Sequence, residues 1–405
     1  MKKLYPLLSA LFLIYWGCEE QTEEDTMLPF QTFSNTYGTG TGLKIRDNTD
    51  GEFYSILSNL NAYDFDPNPQ EPDVYDYAIV NIDYLGEEID RISLDLDSTF
   101  RPNGHNFTTD NGIVIIGNSY GKDIYIVKYS AAGIIEWTKR IGSDYESEYL
   151  PPDELWLSDS SCAEFFYQQG SNAIDYGHEI IQTSDNGYII TGCFECRYIR
   201  SDLYVIKLDE NGNYEWIKCF PFIASGMSIL EIDDGYLVTG VIVDPEYISD
   251  YSDAFLLKIS KEGEQIWLKT FDFVQGNVGG GAALDWGREI QESSDNYFLR
   301  GRGFVKTDLE GNEIWRMDGV GNSFDIVNDE DVVFTGTNWE VNFSSLYISY
   351  YSSEGDSLWT ENFGDSSEYS YGTSILSIDG GYIMSGQKNE EIWLLKVDED
   401  GILEE

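Results

Sequence analysis

The chain holds five cysteines and two histidines in 405 residues, so few reactive groups have to be placed. Cys193 and Cys196 form a Cys-x-x-Cys pair, with Cys162 upstream and Cys219 downstream. Four thiols in one neighbourhood suit disulfides in an exported protein, with three pairings open. A four-thiolate zinc site would want a second Cys-x-x-Cys, and none is present, so no metal is expected. The acidic runs Asp233-Asp234 and Asp329-Glu330-Asp331 lack the alternating spacing and distal Glu of a calcium loop. Gly38-Thr-Gly-Thr-Gly42 has the wrong last gap for a dinucleotide fingerprint, and no Gly-x-Ser-x-Gly elbow occurs. Neither a cofactor nor a serine nucleophile is expected. The groups that could do acid–base work, if the fold gathers them, are His105, His178, Glu179, Glu289 and Asp325, with Lys44 and Arg288 beside them.

Charge narrows the partners. Against 73 Asp plus Glu stand 24 Lys plus Arg, a net charge of −49. Such a surface has no basic footprint to displace counterions from nucleic acid, nor to dock on anionic lipid. Lys2 and Lys3 precede an apolar run from Leu4 to Trp16 that ends at Gly17-Cys18. The run is shorter than the ~20 residues a spanning helix needs and reads as a signal peptide over residues 1–17. The Gly-Cys junction resembles the bacterial lipobox, from which Tyr15-Trp16 depart, and the resemblance implies acylation of Cys18. An acidic tether follows over residues 18–26, similar to the signal some Gram-negative bacteria use to send lipoproteins outward. These features imply an outer-membrane lipoprotein facing the cell exterior, the periplasmic face being the alternative. The lipid would be its only membrane contact.

Positioning falls to a repeat. Tyr176-Gly-His-Glu-Ile-Ile-Gln-Thr-Ser-Asp-Asn-Gly-Tyr-Ile-Ile-Thr-Gly192 continues as Asp202-Leu-Tyr-Val-Ile-Lys-Leu-Asp-Glu-Asn-Gly-Asn-Tyr-Glu-Trp216. Copies recur at 43–92, 104–137, 226–267, 287–315, 324–359 and 372–401, which makes seven. Each holds four strand-like stretches split by Asp/Asn/Gly turns, residues that tolerate positive φ. Four antiparallel strands every ~45 residues is the signature of a propeller blade. The chain is therefore expected to be all-β, a single seven-bladed β-propeller over residues 27–405. The last copy lacks its fourth strand, and residues 27–34 read like the missing one, so they are expected to close the ring. The Val-Ile-Lys-Leu-Asp-Glu-Asn-Gly…Trp phrase resembles the repeat of quinoprotein-like propellers, in which a tryptophan docks between blades. Trp137, Trp216, Trp267, Trp315 and Trp359 fill that register, and Asp90 takes it in the first copy. The Gly-Tyr-Ile-Ile-Thr-Gly half is similar to repeats of bacterial surface lipoproteins. No catalytic or cofactor residue of the quinoprotein enzymes has a counterpart here.

Chain order sorts the loops. Tight turns fall on one face, and the insertions 58–75, 143–172, 241–252, 272–284 and 337–344 fall on the other. The elaborated face, with Tyr63, Tyr149, Trp156, Tyr247 and Trp339 among its aromatics, is the first candidate binding surface. The second is the axial mouth. Aligning the first strands places Leu43, His105, His178, Met227, Arg288, Phe324 and Thr373 at one register, and Lys44, Asn106, Glu179, Ser228, Glu289, Asp325 and Ser374 at the next. The reading that follows is a monomeric, non-catalytic propeller that binds a protein or a glycan. The alternatives are a carbohydrate-active hydrolase or lyase at the axial mouth, and a scaffold for outer-membrane assembly.

Overall fold

The structure is a computed structural model that describes residues 30–48, 53–60, 76–96, 100–119, 123–141, 175–197, 200–243, 251–273, 283–319, 321–340, 343–365 and 367–404. Among them there is no helix; the strands form seven four-stranded antiparallel blades. Blade one comprises Thr41–Asn48, Phe53–Asn59, Tyr77–Asp83 and Glu88–Leu94, and blade two Phe100–Phe107, Ile113–Ser119, Asp123–Tyr129 and Ile135–Ile141. Blades three and four share one continuous strand, Tyr214–Ile232, whose first part is the outer strand of blade three and whose second part is the inner strand of blade four. Tyr176–Gln182, Tyr188–Arg197 and Arg200–Leu208 complete blade three; Gly235–Val243, Tyr251–Ser260 and Gln265–Phe271 complete blade four. Blade five runs Gly287–Glu292, Asn296–Gly301, Gly303–Asp308 and Glu313–Asp318; blade six runs Ser323–Val327, Asp331–Trp339, Ser344–Tyr351 and Ser357–Phe363.

Blade seven has three strands of its own, Ser370–Ile378, Gly381–Lys388 and Glu391–Asp398. Its fourth is Phe33–Thr39, antiparallel to Glu391–Asp398 with Phe33 opposite Lys396. The amino-terminal strand closes the ring as expected, but it begins at Phe33, whereas residues 27–34 were expected to supply it. Residues 27–29 lie outside the described set. Phe33 explains the placement: it takes the position that tryptophan takes elsewhere, opposite the lysine of the third strand, as Trp137 lies opposite Lys128 and Trp216 opposite Lys207.

The core is not central. It is divided into seven apolar clusters, each bridging two neighbouring blades. Val114, Ile116 and Ile126 of blade two meet Ile180, Ile190 and Ile206 of blade three. Phe33, Tyr37, Ile383 and Leu394 of blade seven meet Ile45, Ile56 and Val80 of blade one. Because a blade packs on both faces, its middle strands carry apolar residues without alternation: Leu203, Tyr204, Val205 and Ile206 are all fully buried.

Two local devices repeat around the ring. In blades two and three, the first hairpin turn places Asn111 (φ 65°) and Asn186 (φ 67°) in the left-handed region. The aspartate before each accepts the N–H of the following glycine, Asp110 from Gly112 at 3.0 Å and Asp185 from Gly187 at 2.9 Å. The same carboxylates pair with buried lysines of the third strand. Lys128, 1% exposed, lies 2.8 Å from both Asp110 and Glu136, and Lys207 lies 2.9 Å from Asp185 and 3.2 Å from Glu215. These lysines sit beneath the rim with their charges matched, as burial of an ammonium demands.

The second device joins blades. The glycine in the turn that follows the third strand lies over the tryptophan of the preceding blade: Gly212 on Trp137, Gly263 on Trp216, Gly311 on Trp267, Gly355 on Trp315 and Gly401 on Trp359. Gly86 sits on Phe33 in the same way across the closure. Each of these five tryptophans thus packs its indole against the bare backbone of the next blade's turn. A Cβ at Gly311 (φ +76°) would lie 2.8 Å from Trp267, whereas Gly319 (φ +64°) has nothing within 4 Å. Both substitutions carry the cost of positive φ, ~1 kcal/mol. Only Gly311→Ala adds a clash inside the rim, worth a further ~1–3 kcal/mol. Gly311→Ala should therefore lower the thermal midpoint clearly more than Gly319→Ala, measured by circular dichroism.

Candidate functional site

The first strands ring the axis, neighbour against neighbour, from blade one round to blade seven. In blades one, three, four, five and seven each is interrupted by a bulge, at Leu43, His178, Met227, Arg288 and Thr373 respectively. For these five blades the structure matches the alignment made from sequence. Two blades differ. In blade two the bulge lies between Pro102 and Gly104, so Asn103, not His105, is the counterpart of His178. In blade six Ser323 pairs with Thr335 as Glu179 pairs with Thr191, so Asn322 is that blade's counterpart and Asp325 lies two residues deeper than expected. The Gly104-His105 pair imitates Gly177-His178 in residue type but lies two positions further along the strand. Counting back from the turn would have found the register: Asn103 and His178 each lie eight residues before the positive-φ asparagine.

The polar side chains on these strands tie blade to blade. Glu179 accepts the N–H of Ile229 in blade four at 2.8 Å. Asp325 accepts the N–H of Ser377 in blade seven at 2.7 Å. Glu289 is held by Arg300 at 2.8 Å and meets the Ser323 hydroxyl at 3.3 Å. Asn103 donates to the Gly177 carbonyl at 3.1 Å and Asn322 to the Gly372 carbonyl at 2.8 Å, so the two counterpart asparagines do matching work in blades two and six. His178 stacks on Tyr176 with ring centroids 5.7 Å apart, and its Nε2 lies 3.8 Å from the Cys193 sulfur.

Several of these groups share one electrostatic neighbourhood. Burial lowers the His105 pKa to about 3, helped by Lys44, and lowers that of His178 to about 4, helped by Arg288, so both imidazoles are neutral at pH 7. Burial raises Glu179; Glu289 pushes in the same direction, while Lys44 and the Ser228 and Ile229 hydrogen bonds oppose it. Burial raises Asp325 to about 6, against its bonds to Ser377 and with repulsion from Glu289. The structure thus brings Lys44, His105, Glu179, Glu289 and Asp325 within mutual influence. Lys44, Glu179 and Glu289 keep the register expected for the axial mouth, whereas His105 and Asp325 lie two residues deeper along their strands.

A carboxyl group raised in the folded state imposes no penalty below its unfolded pKa. It destabilises the fold progressively as pH rises through the interval to its folded value. For Asp325 that window runs from about 4 to about 6. Asp325→Asn keeps an oxygen to accept from Ser377 and should leave stability near pH 4 almost unchanged. Above pH 6.5 it should add on the order of 3 kcal/mol. Urea unfolding of both proteins at pH 4, 5.5 and 7.5 tests this, and a constant difference across that series would refute it.

Cys193 and Cys219 are each disulfide-bonded. They lie on the second and fourth strands of blade three with the third strand between them. Cys162 and the side chain of Cys196 are outside the described residues. So are Cys18, Tyr63, Tyr149, Trp156 and Tyr247.

The described part of the elaborated face does present aromatic side chains. Trp339 was expected in an insertion; it ends the second strand of blade six, next to Glu340, whose N–H donates to the Phe343 carbonyl at 2.9 Å. It is 71% exposed, although its backbone is paired with Ser344. Ser344 is bridged on its other side by Tyr369, which is 57% exposed. Tyr369 lies just before a copy of the repeat, in no register of its own, and so carries no signal in the sequence. Beside it opens a pocket of about 760 Å³ between the blade-seven rim and the third-to-fourth turn of blade one. Its lining includes Asn35, Glu87, Glu88, Glu368, Lys388 and Asn389. Blade four holds a further group that no spacing rule could reveal: carboxylate oxygens of Asp253, Asp272 and Asp285 lie within 4.8 Å of one another. Asp285 already accepts the Phe273 N–H at 2.8 Å and faces Arg302 at 3.9 Å.

No family model and no curated protein matches the chain. Solved structures do. The WD40 domain of Neurospora crassa Pan2 superposes with a TM-score of 0.53 at 8% identity, covering 91% of this chain and 97% of that one. BBS1N, solved in complex with ARL6DN, gives 0.50 at 8% identity, covering 92% and 98%. A protein of unknown function from Bacteroides caccae gives 0.41 at 11% identity, covering 71% and 90%. The likeness is one of fold. At such identities it carries the propeller architecture and no residue of a site.

Proposed function

We propose that this chain is a non-catalytic binding propeller, tethered at the cell surface by lipid on Cys18, that recognises a protein or glycan ligand through its elaborated face. One observation carries the reading: Trp339, on a rigid strand and paired through its backbone, leaves 71% of its side chain in solvent. Exposed large aromatics held by a stiff frame bring contact area at little entropic cost. The axial carboxylates favour binding over catalysis, because Glu179 and Asp325 are engaged by backbone N–H groups of neighbouring blades. A propeller of similar shape, BBS1N, solved in complex with ARL6DN, is compatible with a binding role for the architecture.

Two measurements test the proposal. Cys18→Ser should move the protein from the membrane to the soluble fraction and abolish incorporation of labelled fatty acid; unchanged fractionation would remove the lipid tether. Crosslinking on intact cells should trap a ligand with the native protein and lose most of it with Trp339→Ala, at unchanged melting temperature. Equal trapping by the two would exclude this part of the face.

A further inference from the structure

The junction of blades six and seven has a chemistry that narrows the ligand. Trp339 and Tyr369 flank Ser344 on either side, so their backbones stand two strand spacings apart, about 10 Å. Trp339 lies directly across from Ser344 and therefore shares its face of the sheet. That face is turned toward blade seven, because the Ser344 hydroxyl donates to the Ser370 carbonyl at 2.9 Å. Tyr369 is locked in place: its carbonyl accepts the Asn389 N–H at 2.8 Å and its N–H donates to the Asn389 side chain at 3.2 Å. Asn389 and Glu368 also line the adjoining pocket, so aromatic platform and polar pocket are continuous.

The pocket wall is made of hydrogen-bonding groups. The Glu368 carboxylate accepts from the Asn389 amide at 3.2 Å and from Lys388 at 3.1 Å, and Glu88 is held by Arg91 at 2.8 Å. Among the described residues neither Glu87 nor Glu391 forms an ion pair, and both face solvent. An apolar anchor of a partner protein would have to cover this polar wall without compensating bonds. A basic peptide would find two of the four carboxylates already neutralised. An anionic ligand would meet both the free glutamates and a chain of net charge −49. Hydroxyl-rich rings suit what remains. Their C–H faces pack on indole and phenol, and each hydroxyl can donate to a carboxylate while accepting from an amide.

We propose that the Trp339–Tyr369 platform and its adjoining pocket form a subsite for an uncharged oligosaccharide, with hydroxyls bonded to Asn389, Glu368 and Glu391. The inference rests on the elaborated face being the binding face; from there the pocket runs along the outer strand of blade seven to the third-to-fourth turn of blade one. The test is calorimetric titration of the full chain in detergent with uncharged gluco-, manno-, galacto- and xylo-oligosaccharides, with octalysine as the charged control. At least one sugar should bind, and Trp339→Ala and Tyr369→Ala should each weaken it at least tenfold. Trp339→Phe should restore most of the affinity. Both aromatics are exposed, so the variants should keep the native melting temperature; a variant that melts early is replaced in the comparison by Glu391→Gln, which should also weaken binding. Failure of every uncharged sugar to bind overturns the proposal, and so does binding of octalysine alone. If no sugar binds but the crosslinked cell-surface ligand is still lost in Trp339→Ala, the subsite proposal fails and the binding-face reading stands. If a sugar binds with full affinity to both alanine variants, the subsite proposal fails whatever the crosslinking shows.

Discussion

The structure depends on packing between neighbouring blades. No side chain here belongs to a single central core; the apolar residues are divided among seven clusters, and each needs two blades to exist. A lone blade would expose both faces, so the ring must close for any blade to be fully covered. The seventh interface is made by the two ends of the described chain, with Phe33 and Tyr37 beside Ile392 and Leu394. Phe33 is buried there against a turn of blade one, and the Tyr37 hydroxyl donates to the Gly86 carbonyl at 2.9 Å. Hydrogen bonding within the sheet and hydrophobic burial between sheets therefore meet on one short strand.

The rim shows how an acidic protein buries cations. Lys128, Lys207, Lys258, Lys306 and Lys396 occupy one position of the third strand, and all are buried. The first three are matched by turn aspartates, Asp110, Asp185 and Asp234, with Glu136 and Glu215 adding to the first two. The last two lie instead over aromatic rings, Lys306 over Phe298 and Lys396 over Phe30 and Tyr54. A turn aspartate in this fold thus has two tasks. It satisfies backbone N–H groups of a left-handed turn, and it neutralises a lysine that would otherwise be an isolated buried charge.

The axis and the elaborated face contrast in what their polar groups do. At the axis, carboxylates and amides are consumed in holding blades together, so their perturbed protonation follows from burial in a structural network. At the junction of blades six and seven, two large aromatic side chains stay in water while their own backbones are paired, Trp339 with Ser344 and Tyr369 with Ser344 and Asn389. The first arrangement spends polar groups on stability. The second leaves apolar surface uncovered in a frame that does not need it, and that difference directs the functional reading to the face.

Much of this was legible in the residues themselves. The number of blades, the tight turns and the tryptophan register all follow from local chemistry, because a positive-φ turn requires Asp, Asn or Gly and a blade packed on both faces requires unbroken apolar strands. The missing fourth strand of the last copy announced a closure from the amino end. What local chemistry could not decide was register and partnership. Gly104-His105 reads like Gly177-His178, yet pairing with the second strand puts Asn103 in that place, since only the ladder of hydrogen bonds sets which residues face each other. The closing strand begins at Phe33, whose ring docks beneath Gly86 of blade one, a contact made only when the ring closes. Tyr369 gained significance from a neighbour across a parallel bridge, and Asp253, Asp272 and Asp285 from a fold that brings three separate stretches together. Sequence determines what each segment can be; the closed ring decides which segments meet.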